Sequence, residues 1–446
     1  MKNKFIIALY TLLICLFPLS FKFMFLSYSK IIYVVSLLIL IYNIIYNKDN
    51  FKIIINDKRF KVLSIGFFLF AILLSISTIV NSILDNNFFL SNFFEVLRVF
   101  EYYMVIVNYW CLFVKKDNIR FFNMVLIFIL IILSIIGIFQ YFNLFNTNNL
   151  YIKFIAPTQY TTLLNNYSNP RIVGLAGNPN VFGFFIAVSI VYFLYLLLNK
   201  KFNWFLLILI LLLNIILFMT LSRTAYICMV AGELLLVFIA KFNFKTIKKT
   251  FILIALIVLF NLLLLVALPR KLTWRVLELV NISDVTSWQE RVNGNKEFWE
   301  YYSDHITSGD KHNNVDNPDS TIQQPSKFPI NNNAIINSMW LNLMGNGPDK
   351  QFLKHSSIFD NEWLMILFRY GYIGVAAYIF MLIAPLIYFK QYEKNSLALY
   401  ITIISMIFLY MVPAAAYHCD LLFLFCGVII ASCLVNKNGG DNIEKI

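Results

Sequence analysis

Apolar runs of roughly 15–25 residues recur along this chain, parted by short breaks rich in lysine and asparagine. Coiled into a helix, such a run matches the thickness of a bilayer's hydrocarbon core, where only helices and closed barrels satisfy their own backbone polar groups. Charged residues make up just 13% of the chain, about half the share usual in soluble domains. The expected fold class is therefore all-α, a polytopic membrane protein of about twelve transmembrane helices. The expected spans are 5–20, 31–46, 62–84, 93–114, 121–142, 181–198, 204–221, 225–240, 251–268, 363–389, 397–413 and 421–435. Residues 1–446 form one membrane domain, with a large exterior loop, 269–359, inserted between the ninth and tenth helices.

The net charge of +13 would suit a nucleic-acid binder, but its distribution argues for a membrane. With the N-terminus inside, the cytoplasmic breaks collect 20 of the 36 basic residues, including Lys2, Lys48, Lys58, Lys116, Lys200, Lys249 and Lys394, against six acids. The exterior insertion holds nine basic and ten acidic residues and is nearly neutral. The positive-inside rule thus absorbs the basic excess, places both termini in the cytoplasm and leaves no nucleic-acid partner to expect. The opening MKNKF resembles a signal peptide, but no small-residue cleavage site follows the first run, which reads as a membrane helix.

Five of the six cysteines fall inside apolar spans and Cys419 lies at a span end, so no disulfide framework is implied. The four histidines lack metal-ligand spacing, and no Gly-rich nucleotide loop or G-x-S-x-G elbow is present. Neither a metal nor a cofactor is expected. Within the insertion, 270–280 has helix-period apolar positions, 287–302 reads as helical, and 303–340 is an Asn/Asp/Ser/Pro-rich loop.

Charges inside the spans are the first functional signal. Glu95, Arg98 and Glu101 follow one another at steps of three in the fourth span, on one helix face. At 1.5 Å per residue, Arg98 lies roughly 8 Å and Glu101 roughly 12 Å below the exterior end. The triad keeps one negative charge in excess, and Arg369 in the tenth span sits at a depth to meet it. A neutralised staple and a polar cavity open to the exterior both fit, since intramembrane ionisable residues mark functional sites by default. Glu233 in the eighth span adds to the cavity reading.

The sharper signal is RIVGLAGNPN at 171–180, just before the sixth span. Asn178 suits a helix N-cap and Pro179 the first helical position. Gly174 and Gly177 allow the backbone to approach a ligand, and Arg171 is near enough to swing over the helix end. TLSRTA at 220–225 has the same form, with Ser222 as cap and Arg223 in the first turn, where the helix macrodipole disfavours a cation. Both helices run inward, so both positive ends face out with an arginine beside each. That arrangement suits a phosphate group held between them. The competing reading has each arginine reaching for a lipid headgroup.

Five segments then carry a family resemblance: RIVGLAGNPNVFG at 171–183, TLSRTA at 220–225, WQER…FWEYY at 288–302, LMGNGPDKQF at 343–352 and DNEWLMILFRYGYIG at 360–374. In this order, separated by spans, they resemble the bacterial O-antigen polymerase and O-antigen ligase superfamily. The resemblance implies a glycosyltransferase of the bacterial cytoplasmic membrane, acting on its exterior face, with undecaprenyl diphosphate as leaving group. Its implied partners are an undecaprenyl-diphosphate-linked oligosaccharide, membrane lipids and a chain-length regulator protein. The family's diphosphate- and glycan-handling arginines map onto Arg171, Arg223 and Arg291. Where the ligases carry a histidine-asparagine pair, this chain has Asp360-Asn361, closer to the polymerases, with His355 five residues upstream. Asp360 fits a general base for the acceptor hydroxyl, and equally a cap for the tenth span shared with Asn361. Arg98 has no counterpart in these motifs. A ligase transferring chains to a lipid A core and a flippase for lipid-linked sugars stand as alternatives to the polymerase.

Overall fold

The computed structural model describes residues 2–18, 22–23, 26–84, 93–154, 171–199, 203–239, 361–414 and 419–435, with isolated helical positions between 255 and 344. Part of the expected ninth span and most of the 269–359 insertion, with Arg291, His355 and Asp360, lie outside the described residues. Regular structure among the described residues is helical, apart from a two-residue antiparallel ladder of β1 (Lys22–Phe23) with β2 (Leu26–Ser27). The helices are α1 (Lys2–Leu16), α2 (Tyr28–Tyr46), α3 (Lys48–Asn56), α4 (Lys58–Leu84), α5 (Phe94–Phe113), α6 (Lys116–Phe142) and α7 (Thr147–Phe154). They continue with α8 (Pro179–Asn199), α9 (Trp204–Thr220), α10 (Arg223–Ile239), α11 (Glu362–Ile383), α12 (Lys394–Tyr410) and α13 (Asp420–Cys433).

Six helical stretches are long and apolar enough to cross a membrane: Tyr28–Tyr46, Lys58–Val80, Phe94–Phe113, Lys116–Phe142, Pro179–Asn199 and Glu362–Gln391. Helices α9, α12 and α13 are apolar but shorter. Burial sorts these helices into centre and rim. Helix α8 is apolar on every side and buried from Phe182 through Leu194, the signature of a helix enclosed by others. Helices α2 and α4 instead leave Leu38, Ile45, Ile65 and Ile72 on outward faces, as contact with lipid requires.

Side-chain pairs fix the helix directions. Asn3 meets Asn47 at 3.2 Å and Tyr10 meets Ser36 at 2.6 Å, so α1 and α2 are antiparallel. Ser64 bonds Tyr103 at 2.8 Å and Phe60 packs on Trp110, which sets α4 against α5. Gln140 reaches Gly174 while Asn123 accepts from Tyr192, so α6 and α8 are antiparallel. Gly183 abuts Ser222 and Ala225, and Val191 abuts Gly232, so α8 and α10 run parallel, starts side by side. Tyr102 stacks on Phe423 and Ile106 touches Gly427, so α5 and α13 also run parallel. Phe184 packs on Tyr410 and Tyr195 meets Ser396, turning α12 against α8.

One end of the bundle therefore gathers the starts of α2, α5, α8, α10, α11 and α13. The Glu362 amide there donates to Met411 O at 3.0 Å, just beyond α12. The other end gathers Lys2, Lys4, Lys48, Lys52, Lys58, Lys61, Lys115, Lys116 and Lys394, each at the matching end of its helix. Arg59 is fully buried at that end, held by Asp57 at 2.6 Å and lying 4.8 Å from the Tyr392 ring.

Helix α11 is interrupted. Gly371 adopts φ 63°, ψ −170°, a conformation essentially confined to glycine, within the run from Glu362 to Ile383. Ser77 of α4 donates to the Arg369 carbonyl at 3.4 Å beside this break. A broken helix at membrane depth needs such a partner, because lipid offers none.

Candidate functional site

At the end where α8 and α10 begin, local chemistry shapes each helix start. Asn178 Oδ1 accepts from the amides of Asn180 at 2.8 Å and Val181 at 3.4 Å, capping α8. Ser222 Oγ accepts from the Ala225 amide at 3.4 Å, capping α10. Between α9 and α10, Leu221 takes a left-handed conformation with φ 52°. That costs an ordinary residue roughly 1–2 kcal/mol. It turns the chain so tightly that the carbonyls ending α9 lie beside the first turn of α10.

Arg171 spans the gap between these starts. Its Nε donates to Thr220 O at 3.1 Å, one Nη donates to Asn180 Oδ1 at 3.0 Å, and the same nitrogen lies 3.5 Å from Leu221 O. Beside it, the Ile172 amide donates to Met219 O at 3.2 Å. Arg223 is the first residue of α10, two positions beyond Leu221, and is half-buried. The structure thus brings together Arg171, Gly174, Gly177, Asn178, Ser222 and Arg223. Each helix start carries roughly half a positive charge. The two starts side by side, with Arg171 across them and Arg223 opening α10, form a patch of cationic side chains, tempered by the α9 carbonyls that Arg171 holds.

The loop leading into α8 is held from below. Gln140 of α6 is buried; its Nε2 donates to Gly174 O at 2.9 Å, and its Oε1 accepts from the amides of Val173 at 3.1 Å and Gly174 at 2.9 Å. Gly174 has φ 52°, and a Cβ there would fall 2.6 Å from the Phe182 ring, so both backbone and packing require glycine. Gly177 has φ 71°, and a Cβ there would meet nothing within 4 Å. Helix α7 packs over this loop, with Tyr151 and Ile152 against Val173 and Leu175. Burial pushes the Tyr151 phenol up from its ordinary value, and the Gly177 amide nearby partly offsets this.

A second polar cluster lies on α5, α11 and α13. Arg98 donates to Glu95 at 2.7 Å and to Asp420 at 3.0 Å. Asp420 also accepts from Tyr102 at 3.0 Å and from Ser29. Arg369, only 2% exposed, lies 3.9 Å from the other Glu95 oxygen, meeting the excess negative charge as its depth suggested. Within this set Arg98 reaches across to Asp420, and Glu101 Oε1 is left buried with no hydrogen bond. Glu233 Oε1, within α10, is in the same condition. The ring contact of Phe185 with Phe425 sets α8 and α13 in register, so Asn180 and Asp420, each five residues nearer its helix start, lie at about one level. The cationic patch and the ionic cluster therefore open toward the same end of the bundle.

Asn361 Oδ1 accepts from the Leu364 amide at 3.3 Å, which assigns the cap of α11 to Asn361. Among the described residues no group of three His, Cys, Asp or Glu side chains is placed to hold a metal ion. No protein-family model matches this chain, and no curated protein does.

Among the residues of these clusters that sequence did not single out are Asp420, Gln140 and Tyr151. Asp420 begins the last apolar run, where an acid is the ordinary complement of a helix start. Gln140 is one amide near the end of a long apolar run, which hints at a buried partner without naming it. Tyr151 carries no signal, because nothing local marks α7 as packing on the loop before α8.

Proposed function

We propose that this chain is a glycan polymerase of the O-antigen polymerase and ligase kind, working on the exterior face of the bacterial cytoplasmic membrane. In this reading a growing polysaccharide leaves undecaprenyl diphosphate and is joined to a lipid-linked repeat unit. The observation that carries it is the meeting of Arg171 with the turn into α10, beside the capped start of α8. Arginines splayed into lipid on remote sides of the bundle would have removed its basis.

The bond chemistry fits that patch. The acceptor hydroxyl oxygen bonds to the anomeric carbon, the bond from that carbon to the phosphate oxygen breaks, and the diphosphate departs with the bonding pair. Negative charge develops on the leaving oxygen, where fixed amide and guanidinium donors are most effective. Asp360 is our candidate to take the hydroxyl proton, with Arg291 and His355 contributing from the exterior loop; Asp360 and Arg291 follow from the family resemblance, and His355 from its place five residues before Asp360.

The remaining architecture belongs to the same proposal. Helix α10 ends at the lysine-rich end and α11 begins at the opposite one, so the intervening chain crosses an odd number of times. The apolar run 251–268 supplies one crossing, which brings the total to about twelve. Gathering of lysines at one end supports cytoplasmic termini. It also leaves the 269–359 loop on the side of the arginine patch.

The test is the size of the surface glycan in cells carrying Arg223→Ala. Single repeats on the acceptor, with normal insertion of the variant, are expected. Long chains of ordinary length would reject the role of Arg223. Long chains stranded on the carrier lipid would indicate a ligase instead.

A further inference from the structure

Two asparagines flank Pro179 at the start of α8, and they have different tasks. Asn178 is the cap, its Oδ1 accepting from the Asn180 and Val181 amides. The Asn180 side chain turns instead to Arg171, its Oδ1 accepting from an Nη at 3.0 Å. A guanidinium only donates, so Asn180 presents its oxygen to Arg171 and its NH2 faces away. Asn180 stands three residues before Gly183, whose bare Cα lets Ser222 and Ala225 approach. It therefore lies one turn above the contact between α8 and α10, on nearly the same face, and is half-buried there. It joins Thr220 O and Leu221 O as a third neutral acceptor around the guanidinium.

An amide is the weaker choice at this position on two counts. An acid in the first turn of a helix complements the macrodipole, and α5, α11 and α13, which begin at the same end, each carry one: Glu95, Glu362 and Asp420. The first turn of α8 has none. A carboxylate also grips an arginine harder, as Asp57 grips Arg59 and Asp420 grips Arg98. An acid at position 180 would thus steady both the helix and the loop. Where a stabilising residue is passed over in this way, function is a recurrent reason. Here the reason is charge: a carboxylate would offset the Arg171 cation, whereas the amide holds it and adds no charge.

We infer that Asn180 is a positioning residue for the diphosphate of the lipid-linked donor, fixing the Arg171 guanidinium over the crevice between α8 and α10 with a neutral tether. This rests on the function proposed above. Asn180 acts through Arg171, and no contact with the diphosphate is required of it. Phospholipid headgroups carry a phosphate too, so the test must separate the sources.

The full-length protein in phosphatidylcholine nanodiscs is titrated with undecaprenyl diphosphate, and separately with phosphatidylglycerol. The unsubstituted chain, Asn180→Asp and Asn180→Ala are compared, with thermal denaturation followed in parallel. Asn180→Asp keeps an acceptor for Arg171 and adds the favoured first-turn acid, so its melting temperature stays level or rises. Its diphosphate affinity should nonetheless fall about tenfold or more, because a like charge now stands beside the phosphate. That opposite movement is one that a purely structural side chain would not produce. Asn180→Ala removes one tether from the guanidinium while Asn178 still caps α8, and should bind the diphosphate about threefold or more weakly. Diphosphate affinity within about twofold of the unsubstituted protein in either variant would overturn the positioning role and leave the polymerase reading standing. Unsubstituted protein that binds the diphosphate no better than phosphatidylglycerol would overturn both. Phosphatidylglycerol affinity falling in step with that for the diphosphate in Asn180→Asp would make this a headgroup site and reject the inference.

Discussion

Gln140→Leu is the most direct probe of how the arginine loop is held. Leucine has nearly the same volume, so the apolar contacts of this buried position persist while three hydrogen bonds vanish. Each is worth about 0.5–1.5 kcal/mol net, so local opening of the loop becomes easier by about 1.5–4.5 kcal/mol. At 1.4 kcal/mol per tenfold, amide exchange at Val173 and Gly174 should quicken by about 10- to 1,000-fold. Hydrogen exchange read by mass spectrometry on a peptide covering 171–178 measures this directly. A peptide from the middle of α8 serves as control and should not change, because that helix is held by its own ladder and by burial on all sides. Gln140→Glu is the graded case: a carboxylate still accepts from both amides but cannot donate to the Gly174 carbonyl, so its effect should be intermediate. Loop exchange in Gln140→Leu that stays within about twofold of the unsubstituted protein would refute the clamp.

Gly174→Ala and Gly177→Ala should part company in thermal denaturation of the purified protein. The first meets both a left-handed φ and the Phe182 ring at 2.6 Å and should lose more than about 2 kcal/mol, whereas the second meets only its φ and should lose about 1 kcal/mol. Arg98→Met should destabilise by about 3 kcal/mol, since it leaves the buried Asp420 carboxylate without its cation, whereas Asp420→Asn should cost less because Arg98 keeps Glu95 at 2.7 Å, and the double variant should recover part of the Arg98→Met loss. Strict additivity in that double-mutant cycle would show the pair to be uncoupled.

The helical plan was readable because lipid imposes long apolar runs, and caps such as Asn178-Pro179, Ser222 and Asn361 mark where helices begin by local chemistry alone. The meeting of Arg171 with the turn before Arg223 was readable for the same reason: two like motifs at two helix starts that share one end of the bundle. Arg369 beside Glu95 followed from depth. Other features depend on contacts that local sequence does not encode. Arg98 and Asp420 are 322 residues apart, and only the parallel packing of α5 on α13 joins them. Gln140 needed the loop's position over α6, and the break at Gly371 reads in sequence as one more glycine in an apolar run. The left-handed Leu221 is the clearest case, since leucine carries no preference for that turn.

The parallel course of α8 and α10 has an energetic consequence of its own. Antiparallel neighbours place opposite dipole ends together and attract; these two set like poles against each other and repel. The carbonyls that end α9, drawn alongside by the turn at Leu221, offset part of that repulsion, and Arg171 is bound to them. An anion beside the two starts would offset the remainder, so heat resistance should rise with anion concentration.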